Sequence, residues 1–328
     1  MAILVTGGAG YIGSHMVHEL RDAGESVVVL DNLSTGFEWA VAEGVPLIVG
    51  DTGDQSAVAA AIARHEVEAI IHFAASAVVP DSVADPLGYY RNNTANSRTL
   101  IETAIKAGVR HFIFSSTAAV YGNPVEMPVP EDAPLAPMSP YGSSKLMTEI
   151  MLRDASHAHG LRHMILRYFN VAGADPQLRI GQSTRQATHV IKVAAEAAVG
   201  LRAKMELYGT DYPTPDGTCV RDYIHVTDLV RAHSDALRHL RANGESLTLN
   251  CGYGRGFSVR EVIDTVKRVS GVDFPVELAP RRPGDSAAVV ASSDRARALI
   301  GWHPKLDDLT TIVAHALAWQ KKLMMRNH

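Results

Sequence analysis

The chain begins with an apolar run, "AILVTG", and similar runs recur at "SVVVLD", "VPLIVGD", "EAIIHFAA", "HFIFSS" and "HMILRY". Each is short, rich in β-branched residues and almost continuously hydrophobic, the pattern of a strand buried on both faces. Between them lie helix-length stretches with apolar positions three and four apart, among them "GSHMVHELRDAG" and "DQSAVAAAIARH". This alternation predicts an α/β protein built on a doubly wound parallel sheet with helices on both faces. Sheets of that kind take their ligands outside the carboxyl ends of the strands.

After about Asn170 the rhythm loosens. "GADPQLRIGQST" and "GTDYPTPDGTCVRDY" read as long loops, and helical periodicity returns at "HVTDLVRAHSDALRHLRANG", "SVREVIDTVKRVSG" and "TTIVAHALAWQKK". Long loops inside a compact protein tend to be binding segments. The organisation expected is a first domain over 1–170 with a segment near 218–252 returning to it. A smaller C-terminal α/β domain over 171–328 would carry the substrate.

Composition narrows the function. A net charge of −4 offers no basic footprint for nucleic acid or an anionic membrane. No apolar run reaches the roughly 18 residues that suggest a spanning helix. The start moves straight into a strand and a glycine turn, unlike a signal peptide, so a cytoplasmic location is expected. The two cysteines, Cys219 and Cys251, suit a reducing compartment and lack metal-ligand spacing. His157, His159 and His163 have no completing carboxylate or cysteine, so no metal is expected.

The first turn carries specific chemistry. "VTGGAGYIGSH" places Gly7, Gly10 and Gly13 directly after a strand and at the head of a helix. In that context Gly7 allows the tight turn, Gly10 admits a pyrophosphate and Gly13 permits close helix packing. Tyr11 and Ile12 would bring the helix N-terminus to the phosphates. Asp31 ends the second strand, where a carboxylate accepts hydrogen bonds from an adenosine ribose. Asn32 and Leu33 supply no cation for a 2′-phosphate, which favours NAD over NADP. Asp51 and Thr52 after the third strand, and Phe73 and Ala74 after the fourth, would flank adenine and the central phosphates.

"SPYGSSKLMTEIM" sets Tyr141 four residues before Lys145 on what reads as an amphipathic helix. Such a pair arises by chance in many helices, and alone it identifies nothing. Here a hydroxyl residue, Thr117, ends the fifth strand 24 residues earlier. A free phenol has a pKa near 10. A cation about 5 Å away at an effective dielectric near 20 contributes roughly 3 kcal/mol, about two pK units. Lys145 and a nicotinamide cation together would bring Tyr141 toward the operating pH of a general base.

These motifs, with "DNLS", "FIFSSTAAVYG", "LRYFNVAGA", "GTDYPTPDGTCVRDYIHV" and "PRRPGD", resemble the UDP-hexose 4-epimerases of the extended short-chain dehydrogenase/reductase superfamily along nearly the whole chain. The resemblance implies reversible C4 epimerisation of UDP-glucose and UDP-galactose by transient hydride transfer to tightly bound NAD through a 4-keto sugar. It implies Tyr141, Lys145 and Thr117 as the catalytic group, with Asn92 on the cofactor side and Phe169 beside the nicotinamide amide. For the sugar nucleotide it implies Asn170, the diphosphate arginines Arg221 and Arg282, and Asp285 at the uridine ribose. A homodimer formed through a helical bundle is the usual state of the family.

Three positions depart from the pattern. Ala77 stands where many members carry a lysine near a cofactor phosphate. Thr188 and His189 replace paired asparagines, which leaves His189 as a candidate diphosphate contact or as a helix-terminal histidine with no ligand. Val289 aligns with a position that is bulky and aromatic in some members, so the pocket would admit an N-acetyl group. A dehydratase would need an acid after Thr117, and Ala118 and Ala119 cannot move protons. A 4-epimerase of another nucleotide sugar and an NAD-binding sensor without chemistry are the remaining alternatives.

Overall fold

The computed structural model describes residues 1–185, 187–282 and 285–326. The six apolar runs form six strands. The chain order opens β1 (Ala2–Thr6), α1 (Tyr11–Asp22), β2 (Val27–Asp31), β3 (Leu47–Val49), α2 (Gln55–His65) and β4 (Val67–His72). Two short helices follow, α3 (Val79–Ala84) and α4 (Pro86–Tyr89), then α5 (Asn96–Lys106), β5 (His111–Thr117), α6 (Pro140–His159) and β6 (Arg162–Tyr168).

Side chains along β1 alternate between two cores, as a strand covered on both faces requires. Ile3 and Val5 pack with Met16, Val17 and Leu20 of α1 on one face. Leu4 packs with Val58 and Ile62 of α2 and Leu100 of α5 on the other. The helices start where the local chemistry allows: Asp54 caps α2 by accepting from the N–H groups of Ser56 and Ala57, both at 3.0 Å.

The second half adds β7 (Asn170–Ala172), α7 (Val190–Ala198), β8 (Met205–Tyr208), β9 (Val220–Arg221), β10 (Tyr223–His225), α8 (Val226–Arg241) and β11 (Leu247–Cys251). It closes with β12 (Phe257–Ser258), α9 (Val259–Ser270), β13 (Val276–Ala279), β14 (Ala288–Val289), α10 (Asp294–Ile300) and α11 (Leu309–Arg326). β11 joins the large sheet beside β6, and α8 covers the face that α1 also covers. The large sheet is seven strands, all parallel, in the order β3-β2-β1-β4-β5-β6-β11. The direction of winding reverses between β1 and β4, which opens a crevice at their carboxyl ends.

Against that edge sits a smaller lobe of three short sheets, β10-β7, β12-β9-β14 and β13-β8. Its core gathers Ile191 and Ala194 of α7, Val262 and Val266 of α9, and Ile312 and Val313 of α11. A reciprocal capping box of Ser258 and Glu261 starts α9, and Gly271 in the left-handed region ends it.

One stretch had no pattern to read. Residues 79–95 fold as α3, α4 and a π-helical turn over Tyr90–Ala95. Pro80 and Pro86 stand in the first turns of two helices too short to show a period. The wide turn leaves Asn92 and Asn93 pointing at the loop after β4, and both hydrogen-bond Ser76. Among the described residues no helix is long and apolar enough to cross a membrane.

Candidate active site

The crevice at the switch point is floored by the first glycine turn. Gly7 has φ +70°, and a Cβ there would lie 2.6 Å from the Ala74 nitrogen. A Cβ on Gly13 would lie 2.1 Å from the Gly7 carbonyl oxygen, so α1 presses directly on the turn. Gly10 differs. Its only neighbour would be that carbonyl at 3.3 Å, and it begins α1 with no side-chain cap. With no side chain capping the helix, the leading N–H groups of α1 suit a pyrophosphate.

Asp31 stands at the end of β2, buried, and organises the same crevice. One carboxylate oxygen accepts from the Ala9 N–H at 2.9 Å and the other from the Leu33 N–H at 2.8 Å. A carboxylate has about four acceptor sites, so lone pairs remain for ribose hydroxyls. Asn32 donates to Asp51, whose other oxygen accepts from Asn96 and the Gly53 N–H. Thr52 is buried next to it. Phe73 packs against His233 of α8 with ring centroids 4.9 Å apart and planes tilted by 35°. These residues fit NAD: bare backbone for phosphates, a carboxylate for ribose, no cation beside it.

The side chains of Tyr11 and Asn92, both expected on the cofactor side, bond to protein instead. The Tyr11 phenol donates to the Gly173 carbonyl at 2.7 Å, so it ties the glycine turn to the end of β7 and leaves only its backbone to the phosphates. Ala77 is exposed and adds no polar group. Asn92 donates to the Ser76 hydroxyl at 2.9 Å. Asn93, which the sequence reading passed over, bonds Ser76 through both ends of its amide and donates to the Ser144 hydroxyl at 3.0 Å. The asparagine doublet was the available signal. It staples the loop after β4 to α6.

Thr117 is the last residue of β5, and Tyr141 and Lys145 lie on the first turns of α6. Pro140 suits the first helical position, and Ser139 caps the helix by accepting from the Gly142 N–H. A Cβ on Gly142 would lie 2.6 Å from the Ala119 carbonyl, so the helix enters hard against the turn that follows Thr117. All three functional side chains are buried. Lys145 donates to the Ser115 carbonyl at 3.0 Å and lies 4.7 Å from the centre of the Phe114 ring.

Burial adds a contribution that the four-residue spacing does not report. Burial pushes the Tyr141 phenol up, and a hydrogen bond with Thr117 pulls it down by less. Burial also lowers Lys145 to about 7, against the pull of the Glu149 carboxylate. Desolvation is therefore the largest influence on both groups. Lys145 alone does not make Tyr141 acidic. A further positive charge over the crevice is required, and the ring of oxidised NAD carries one.

The substrate-side candidates fall into two groups. Arg221 on β9 and Arg282 converge on Asp285, at 3.7 Å and 3.5 Å. Val289 on β14 is the register partner of Arg221, and the Arg282 guanidinium lies 4.3 Å from the centre of the Tyr208 ring. Asn170 and His189 line a separate small cavity with Gln182, Lys192 and Trp319. His189 precedes α7 and accepts from the Gln182 amide at 2.8 Å. Its ring is sunk far enough for desolvation to lower its pKa, although part of the residue stays open to solvent. Phe169 is buried among Val120, Tyr121 and Val129. Among the described residues no group of three or more His, Cys, Asp or Glu could hold a metal.

Comparison with known proteins agrees with this geometry. Residues 3–252 match the model of the NAD dependent epimerase/dehydratase family. A UDP-glucose 4-epimerase of Azospirillum brasilense is 58% identical over 98% of this chain and 92% of its own length. The crystal structure of UDP-glucose 4-epimerase from Brucella ovis in complex with NAD is 44% identical, with a TM-score of 0.94 and 97% of each chain covered. The structure of the UDP-Glc/GlcNAc 4-epimerase from Campylobacter jejuni is 50% identical, with a TM-score of 0.85, over 98% of this chain and 99% of that one. The chain belongs to the NAD dependent epimerase/dehydratase family.

Proposed function

We propose that this chain interconverts UDP-glucose and UDP-galactose by reversible inversion at C4 through a 4-keto sugar. The observation that carries the reading is the meeting of Thr117, Tyr141 and Lys145 at the carboxyl end of β5, beside an uncapped α1 that suits a dinucleotide. NAD held at the turn of Gly7, Gly10 and Gly13 and beside Asp31 would supply the hydride acceptor and donor for C4. Tyr141 takes the proton of the C4 hydroxyl and later returns it. Thr117 holds that oxygen, and Lys145 keeps positive charge against the phenolate.

Inversion also needs the keto sugar to present its other face without leaving. Arg221 and Arg282 are suited to grip the diphosphate as planar forks, with Asp285 released to the ribose, while the hexose turns. Asn170 and His189 would close the far side. Purified protein given UDP-galactose without added NAD should form UDP-glucose. Tyr141→Phe should lose about 10²- to 10⁴-fold in kcat, as expected for a general base, while keeping its NAD. Unchanged turnover in Tyr141→Phe would refute the assignment.

A second substrate class follows from Val289, a small, partly exposed side chain paired with Arg221. Room beside the sugar would admit a 2-acetamido group, so UDP-GlcNAc should be epimerised too. Val289→Tyr should lower kcat/KM for UDP-GlcNAc relative to UDP-glucose by about 10-fold or more, the scale of a pocket filled by a few heavy atoms. Equal losses for both sugars would place Val289 away from that substituent.

The outer surface suggests a second copy. Met147 and Ile150 of α6 are each 42% exposed, and Val83 and Leu87, on α3 and α4 packed against it, are 64% and 77% exposed. Apolar positions in one patch mark an interface. Sedimentation should give a homodimer that Ile150→Glu converts to monomer; a monomeric wild type would end this proposal.

A further inference from the structure

One buried charged group beside the site has no part in the chemistry above. Glu149 lies one helical turn beyond Lys145 on α6 and is 0% exposed. One of its oxygens accepts from the Ser116 hydroxyl at 2.5 Å and from Arg167 Nε at 3.0 Å. The other accepts from Arg167 Nη2 at 2.6 Å. Arg167, 2% exposed, spends its remaining terminal nitrogen on the Tyr121 hydroxyl at 2.9 Å and the Glu131 carbonyl at 3.0 Å. Ser116 and Arg167 are register partners on β5 and β6.

The placement is specific. Ser115 receives the Lys145 ammonium, Ser116 bonds Glu149, and Thr117 faces the phenol, three consecutive residues of one strand end. α6 is therefore held to β5 at two successive turns, and at the second Glu149 also forms an ion pair with Arg167 of β6. We propose that Glu149 is a positioning residue for the Tyr141–Lys145 pair: clamped by Arg167 and Ser116, its carboxylate fixes α6 against the end of β5 and balances the buried guanidinium that would otherwise oppose Lys145. The inference rests on the epimerase reading only for its consequence in turnover.

Packing alone would not require a charge here. A buried ion pair is often no more stable than an apolar pair of the same shape, whereas removing one partner strands the other and is strongly unfavourable. Its distinguishing property is the field it imposes on neighbours. Glu149 on its own helix and His72 of β4 are ionisable groups coupled to Lys145, Tyr141 lies one turn before it, and Arg167 of β6 stands beyond Glu149 in the ion pair. Burial holds His72 down to about 3, so it is neutral over the working range. Glu149 is then the charge that opposes burial at Lys145, and Arg167 acts on it through the ion pair.

The test titrates Lys145 in NAD-loaded protein carrying ¹³Cε-lysine, with Lys145→Met to assign the signal. Glu149→Gln leaves Arg167 uncompensated and should lower the Lys145 midpoint by about one pH unit. Arg167→Gln leaves the carboxylate uncompensated and should raise it. The double variant should return near wild type. In turnover, the alkaline limb of the kcat profile for UDP-galactose should move with the lysine, down in Glu149→Gln and up in Arg167→Gln. Either single variant suffices if the other fails to fold, because the signs are opposite. Midpoints that stay put, or that shift the same way in both variants, would overturn the proposal. Lysine shifts as stated in a protein without epimerase activity would instead leave the clamp standing and remove the function.

Discussion

Helix α6 enters the carboxyl edge of the sheet with ionisable groups on its buried face, and removing those groups from water is the constraint around which the site is arranged. Tyr141, Lys145 and Glu149 recur at four-residue intervals, which aligns them on that face. Each is provided for separately: the phenol by Thr117, the ammonium by the Ser115 carbonyl and the Phe114 ring, the carboxylate by Arg167 and Ser116. Phe114, Ser115, Ser116 and Thr117 all belong to the end of β5, and Arg167 comes from its neighbour β6. The chemistry is thus held by the stiffest part of the fold, the centre of the parallel sheet.

The second lobe is fastened to this edge by polar links. Tyr11 reaches the Gly173 carbonyl, and Arg179 bridges Asp175 to Asp22 of α1. Within the lobe, Asp222 accepts from the N–H groups of Tyr253, Gly254 and Ala291, which gathers β9, the turn after β11 and the approach from β14 at one buried carboxylate. Burial pushes Asp222 up to about 6 even with those donors in place. Arg221 immediately precedes Asp222 and Val289 is the register partner of Arg221, so this carboxylate lies next to both in the lobe.

The strands and their parallel arrangement were legible because six continuous apolar runs at helix-length spacing have few other solutions. Gly7, Gly10 and Gly13 announced a turn whose three glycines differ in just the way their neighbours require. Other features could not be read in advance. Tyr11 and Gly173 meet across 162 positions, and no local pattern encodes that contact. The π-helical turn at Tyr90–Ala95 has neither of the ordinary periods. Arg167 was visible as a charge inside the apolar run "HMILRYFN", and Glu149 as a charge on the Lys145 face of α6, yet only their spatial meeting gives either a purpose. Spacing reports the proximity of Tyr141 and Lys145 and says nothing of burial, which raises the phenol and loosens the lysine proton.

The account stands on the C4 hydrogen leaving and returning inside one enclosed site, with no exchange to water. The direct measurement gives the purified protein UDP-galactose deuterated at C4, in ordinary water, and follows the label into UDP-glucose by mass spectrometry and NMR. The account predicts UDP-glucose that retains deuterium at C4 through many turnovers. Loss of the label to solvent, or product without deuterium at C4, would contradict it.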